Sequence, residues 1–334
     1  MRILKSIGIV LVGIFLVIIV GAGIFYLATD GEYNVPATVT DDASLPRLEV
    51  DGYSFHAETY GDAGNPVVIV LHGGPGGDYR SLLPLQELAD EYFVVFYDQR
   101  GSGLSERVPA DQLSYQVMLE DLDDIVDLYG QGEAVYLLGH SWGGMVGSGY
   151  LGYAPEKVAK AVLAEPGFLN AEEARDWRDH YQALMSGPTL YWQMLRAGFA
   201  AQHIRGPDPY AREDFLVGQE ILPLFTNHPD NSYHCPGESY DAPSWRWGTT
   251  ANNAVQAHAT DDDLNSLSAR AGDFEKPVLF LASECNTWIG TELQARHAAL
   301  YQQAELTVIS NAGHEMIWDN PGESLAVIRA FLSR

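Results

Sequence analysis

Basic residues are scarce in this 334-residue chain: 19 Lys and Arg stand against 45 Asp and Glu, a formal charge of −26. The first 29 residues hold Arg2 and Lys5 and no acid, so the remainder balances 17 bases against 45 acids, or −28. Such a body repels phosphate, which excludes a nucleic-acid partner. The acids are dispersed, as on an ordinary solvated surface. Cysteine is nearly absent. Cys235 and Cys285 lie far apart and lack metal-ligand spacing, so neither a framework of bridges nor a redox role is expected. Whether the two form a single bridge is a question of geometry. Internal repeats and low-complexity tracts are missing. The hydrophobic fraction of 46% provides for a sizeable core, and the length suits one large domain with an insertion, or two domains.

Charge is also missing from Ile7 to Leu27. As a helix this run would extend about 31 Å, close to the hydrocarbon thickness of a bilayer. Arg2 and Lys5 precede it, which puts the N-terminus in the cytoplasm and the body on the non-cytoplasmic side. The run is longer than the apolar region of a cleaved signal peptide, and no clean cleavage site follows Leu27. Residues 1–28 are therefore expected to be a single-pass, uncleaved membrane anchor. Residues 29–46, mixed and aperiodic, are expected to be a linker.

Beyond the linker, apolar runs alternate with helical periodicity. Arg47 to Val50 and Tyr53 to Tyr60 read as a hairpin about Asp51-Gly52. Strands follow at Val67–Leu71, Tyr92–Tyr97, Ala134–Leu138, Val158–Ala164, Pro277–Ala282 and Leu306–Ile309. Helices are expected at Asp111–Leu128, from the residues after 141 to about Tyr153, and at about Glu323–Leu332. Alternation of this kind implies an α/β fold with a mostly parallel sheet covered on both faces. Residues 47–166 and 274–334 form that core. Residues 167–273 break the pattern and carry Trp177, Trp192, Trp245 and Trp247, four of the seven tryptophans. This segment is expected to be a helical cap over the sheet edge, its aromatics mainly filling its own small core.

The chemistry concentrates at Gly139-His140-Ser141-Trp142-Gly143. A serine on a sharp strand-to-helix turn projects its hydroxyl above the sheet, and the flanking glycines leave room where backbones approach. Ser141 is the candidate nucleophile. A free hydroxyl is a weak nucleophile and needs a base. His314, in a short loop after the last strand, has the right chain order. His140 is expected to be a packing residue. A tetrahedral intermediate needs two N–H donors. These are assigned to Trp142 and to Gly74 in His72-Gly73-Gly74-Pro75-Gly76-Gly77, with Gly73 as runner-up. That loop lacks the spacing and the Lys-Ser/Thr ending of a phosphate-binding P-loop.

Together with Asp98-Gln99-Arg100-Gly101-Ser102-Gly103-Leu104-Ser105, these motifs resemble the α/β-hydrolase superfamily, and within it the proline iminopeptidase-like serine hydrolases. The resemblance covers about Val50 to Glu165 and Lys276 to Leu332. It implies an α/β-hydrolase fold, a Ser–His–acid triad, no metal and no organic cofactor. The Asp98–Ser105 segment resembles a structural loop near the pocket. The departure is the acid. Where the family carries Asp after the strand Pro277–Leu281, this chain has Asn286. An amide holds the imidazole's tautomer loosely but cannot stabilise the imidazolium, and in the serine-protease template that change costs about 10⁴ in rate. Glu165, ending the preceding strand, is the first substitute, and Glu284 the second. The family's Trp-x-x-Trp-Glu-like cap motif is only echoed in Trp245-Arg246-Trp247-Gly248, without the glutamate. Glu238 and Asp241 are nearby acids that nothing selects.

The expected activity is hydrolysis of an ester or amide through an acyl-enzyme, on a small-molecule or short-peptide substrate. Carboxylesterase and N-terminal peptidase remain open, and a non-catalytic binding protein on the same fold is the rival class. Haloalkane dehalogenase and epoxide hydrolase readings are set aside, because those mechanisms use an aspartate where this chain has Ser141.

Overall fold

The computed structural model describes residues 2–334, with side chains from Ser6 onward, so the side chains of Arg2 and Lys5 lie outside the described residues. The chain opens with α1 (Arg2–Ala28), whose stretch Ser6–Ala28 is long and apolar enough to cross a membrane and is not buried against the rest of the protein.

Eight strands then build one sheet: β1 (Arg47–Val50), β2 (Tyr53–Tyr60), β3 (Val67–Leu71), β4 (Phe93–Tyr97), β5 (Val135–His140), β6 (Val158–Ala164), β7 (Val278–Ser283) and β8 (Ala304–Ile309). Their order is β1-β2-β4-β3-β5-β6-β7-β8. β1 and β2 form the expected hairpin, with Asp51 and Gly52 both at positive φ in its turn. β2 also pairs antiparallel to β4; every later pairing is parallel.

The central strands are apolar on both sides because both faces are covered. Ile69, Leu71, Leu137 and Phe280 point to one layer, Val68, Val70, Leu138 and Leu279 to the other. The first layer is closed by α2 (Tyr115–Gly130) and α3 (Trp142–Tyr153), through side chains such as Leu122, Ile125, Met145 and Val146. The helix Pro321–Leu332 and the 3₁₀ run Arg80–Asp90 close the second. α2 begins four residues later than its periodicity suggests. Ser114 is its N-cap, accepting from the Val117 N–H at 3.2 Å, and the preceding Ala110–Gln112 is a separate 3₁₀ turn.

Between β6 and β7 the chain is helical and contributes no strand among the described residues. It includes α4 (Ala171–Leu184), α5 (Pro188–Ala201), a continuous run from Ala211 to Thr226 with a π-helical centre at Leu216–Ile221, and the helix Thr249–His258. Its tryptophans do not simply fill a core of their own. Trp177 packs on Tyr181 and Trp288 and also lines the main cavity, as Trp247 does. Trp245 packs on Tyr79 and His56, and Trp192 is exposed.

Residues 29–46 lack regular structure but are not a loose linker. Thr38 and Val39 are buried, the Val39 N–H bonds the Leu104 carbonyl at 2.8 Å, and Arg246 Nη1 bonds the Pro36 carbonyl at 2.9 Å. Aperiodic sequence excluded an element here, not attachment to the body.

Candidate active site

Strand order reverses between β3 and β5: the chain moves outward from β3 to β4, then returns to the other side of β3. A parallel sheet opens a crevice at the carboxyl ends of strands flanking such a switch point. The loop after β3 carries Gly73 and Gly74, and the turn after β5 carries Ser141.

Ser141 sits at φ 54°, ψ −118°, a conformation costly for a residue with a Cβ. The surrounding backbone holds it there. A Cβ on Gly139 would overlap the Gly143 carbonyl, and one on Gly143 would overlap the Leu71 carbonyl. The Ser141 N–H bonds the Ala164 carbonyl at 2.8 Å. Trp142 is the first residue of α3, so its N–H has no partner within the helix. Gly73 faces Ser141: a Cβ built on it would lie 3.7 Å from Ser141 Oγ. Gly73 and Gly74 both line the cavity that holds Ser141 and His314.

Glu165, the residue after β6, is also at positive φ (43°) and wholly buried. Its carboxylate is saturated by four donors. Oε1 accepts from the Ser283 N–H and Oγ–H, both at 2.6 Å. Oε2 accepts from Asn286 Nδ2 at 2.8 Å and from His314 Nδ1 at 2.9 Å. Asn286, the aligned acid position, thus serves Glu165 as a donor, while its own Oδ1 accepts the Trp288 and Ile289 N–H groups. Glu284 points elsewhere and accepts from the Asn311 N–H at 2.8 Å, so the structure does not bring it to His314.

The loop bearing His314 is held from two sides. His140 Nε2 donates to the His314 carbonyl at 2.8 Å, so this histidine fixes the backbone of His314 rather than merely packing. The His314 N–H donates to the Tyr233 carbonyl at 2.7 Å, and the Tyr233 ring lies 4.7 Å from the imidazole. Tyr233 is in turn fixed by Trp177 Nε1 at 2.6 Å and by a bridge between Cys235 and Cys285 two residues on. Gln99, in the loop that resembles a structural element, ties the site's floor: it bonds the His72 carbonyl through Nε2 and accepts from Trp142 Nε1 through Oε1, both at 3.0 Å. Tyr233 carried no periodicity or motif by which the sequence alone could select it; Gln99 stood in a motif given no catalytic role, and the bridge depended on geometry that the sequence does not hold.

Burial pushes the Glu165 carboxyl up to about 8, against the pull of its Ser283 and Asn286 donors. Burial, with His140 alongside, pushes His314 down to about 3. The imidazole is therefore neutral near pH 7, as a proton acceptor must be. With Nδ1 engaged by Glu165, Nε2 is the nitrogen left for the cavity. One donor atom each from His140, His314 and Glu315 lie within 4.8 Å of one another. Ligands around one tetrahedral zinc are about 3.3 Å apart, so this trio would have to close up to hold an ion.

The cavity measures about 520 Å³, the size of a small-molecule site. Trp177, Tyr181, Phe225, Ile221 and Leu222 make one wall apolar. Trp247 Nε1, on a residue that lines the cavity, is buried without a hydrogen-bond partner among the described residues.

Comparison with known proteins agrees with this architecture. The family described as alpha/beta hydrolase fold matches residues 66–321. The chain is 34% identical to Epoxide hydrolase 4 of Homo sapiens, over 86% of this chain and 77% of that protein. The match to its Mus musculus counterpart, 35% identical, spans 39% of this chain and only 37% of that protein. Proline iminopeptidase of Saccharolobus solfataricus is 36% identical, over 81% of this chain and 86% of its own length. Among solved structures, a bacterial membrane phospholipase A shares the fold with a TM-score of 0.61 at 17% identity, over 97% of each chain. With an eight-stranded sheet, a switch-point crevice and this family match over most of its length, the chain belongs to the α/β-hydrolase superfamily and is a hydrolase of that fold.

Proposed function

We propose that this protein is a membrane-anchored serine hydrolase that cleaves an ester or amide carbonyl through an acyl-enzyme. Ser141 attacks, His314 Nε2 takes its proton, and Glu165 holds the imidazole by Nδ1 and balances the charge that forms on it. The N–H groups of Trp142 and Gly74, with Gly73 as the alternative, receive the oxyanion. Water, activated by the same histidine, then releases the acid. The observation that carries this reading is the 2.9 Å contact between Glu165 Oε2 and His314 Nδ1, beside a cavity that the strained Ser141 also lines.

Relatives named epoxide hydrolase raise ring opening as a second reading. The residue at the elbow argues against it. A serine alkoxide that opened an epoxide would leave an ether, which water does not release, whereas a carbonyl substrate gives a hydrolysable ester. Fluorophosphonate labelling of wild type but not of Ser141→Ala supports the serine hydrolase; no labelling of wild type supports a non-catalytic binder. Faster cleavage of N-terminal-proline amides than of nitrophenyl esters assigns the peptidase, and the reverse ranking assigns the esterase.

For location, the reading is that α1 stays in the membrane with the body on the non-cytoplasmic side. The Cys235–Cys285 bridge supports this side, since disulfides persist in oxidising compartments.

A further inference from the structure

The outward face of α5 exposes a cluster of large apolar side chains. Tyr191 and Trp192 are 65% and 57% exposed, and Met194 and Leu195 beside them are exposed as well. These positions share one side of the helix by their spacing. A monomer does not ordinarily leave two large aromatics and two aliphatics adjacent in water.

What lies next to this face identifies its occupant. α5 packs against the last turn of α1: the Phe25 ring is 5.2 Å from Trp192 and 5.0 Å from Phe199. Just beyond α5, the His203 ring stacks on Tyr26 at 4.1 Å and Nε2 bonds the Tyr26 carbonyl at 2.9 Å, while Arg205 bonds the Tyr26 hydroxyl. Phe25 and Tyr26 end the apolar run, at the level where a span leaves the hydrocarbon. The exposed face therefore continues the apolar surface of α1. Charge agrees. Residues 180–207 contain no Asp or Glu, in a chain with 45 of them, and do contain Arg196 and Arg205. Arg196 pairs with Glu220 at 3.6 Å, and His203 faces Asp30 at 3.4 Å, so the patch is close to neutral rather than strongly basic.

We propose that α5 is a second membrane contact, with Tyr191, Trp192, Met194 and Leu195 seated in the headgroup layer of the bilayer that α1 crosses. Tyr and Trp suit that layer because one part of each side chain is apolar and the other hydrogen-bonds. The helix also packs on Leu216–Ile221, whose Ile221 and Val217 line the cavity beside Ser141. Lipid contact on α5 thus sits one helix away from the site, and it fixes how the body stands on the surface. This proposal rests on α1 being the span proposed above.

The test uses the full chain in phospholipid vesicles. Since both native cysteines are bridged, a single introduced cysteine takes a nitroxide label selectively. Labels go on Tyr191→Cys and Leu195→Cys, with Val17→Cys in α1 and the exposed Glu87→Cys on the body as references. The ratio of collisions with oxygen to collisions with a water-soluble nickel complex reads depth. The α5 labels are expected to fall between the two references, shifted clearly toward Val17→Cys. Ratios equal to that of Glu87→Cys, with Val17→Cys still deep, overturn the α5 contact and leave the span intact. A shallow Val17→Cys overturns the span reading and this proposal with it. Spin–spin broadening at Leu195→Cys that dilution with unlabelled protein removes also overturns it, because a second copy then covers the face.

Discussion

Replacing Glu165 with glutamine tests the arrangement most directly. The carboxylate accepts four hydrogen bonds, two per oxygen, and all four partners can donate. An amide supplies one acceptor oxygen, and its NH₂ must face one of the two donor pairs. The less costly placement sets the NH₂ toward His314, which then accepts at Nδ1 and carries its proton on Nε2. In that tautomer the base can no longer take the Ser141 proton. The equivalent change in the serine-protease template costs about 10⁴ in rate, near 5.5 kcal/mol of transition-state stabilisation. With the Glu165 carboxyl held up to about 8, only about a tenth of wild-type molecules carry the charge at pH 7. The loss measured at pH 7 is therefore about 10³, widening toward 10⁴ above pH 9. The second-order rate constant for fluorophosphonate labelling reads this without a known substrate. A Glu165→Gln protein that folds, by near-ultraviolet circular dichroism, and labels within tenfold of wild type refutes the assignment of the acid.

The pair must shed one proton to reach carboxylate plus neutral imidazole, so the wild-type labelling rate should rise roughly tenfold from pH 7 to 9; a flat profile contradicts the raised carboxyl. The sign for stability is opposite. A carboxyl raised in the fold contributes stability that is complete below about 4.5 and lost as pH climbs through about 8, so Glu165→Gln should lessen the fall in Tm over that interval. The Cys235–Cys285 bridge closes a loop across 50 residues, worth about 4 kcal/mol by chain entropy, and paired Ser replacements should lower the denaturation midpoint accordingly, with unchanged stability as the contrary result. Gly143→Ala drives a methyl into the Leu71 carbonyl and should lose labelling and folding yield together; a stable, active Ala variant would mean that the turn relaxes.

The sheet was legible because its strands are short apolar runs bounded by turn residues. β1, β2, β3 and β6 have the limits their sequence suggests, and the other four strands differ by a residue or two at their ends. The elbow was legible because a strained serine needs particular neighbours, and Gly139 and Gly143 supply them. Glu165 was reachable by chain order and sheet adjacency, but its four-donor shell was not. Asn286 breaks the family's acid pattern in sequence, and only the fold shows its amide serving the carboxylate one strand away. Tyr233, Gln99 and the disulfide stayed hidden because their contacts join residues far apart in sequence and follow no period. Residues 29–46 are attached through backbone hydrogen bonds and through the buried Thr29, Val35, Thr38 and Val39, whose spacing leaves no hydrophobic rhythm.

Glu165 is followed at once by Pro166, whose carbonyl accepts from Gln294 and whose ring rests against Gly144. Any chimaera that exchanges the helical segment for one from a relative must therefore cut after this dipeptide. A donor segment spliced in one residue earlier would import its own junction and unseat the partner of the imidazole. Swaps of specificity in this scaffold thus have a fixed upstream seam.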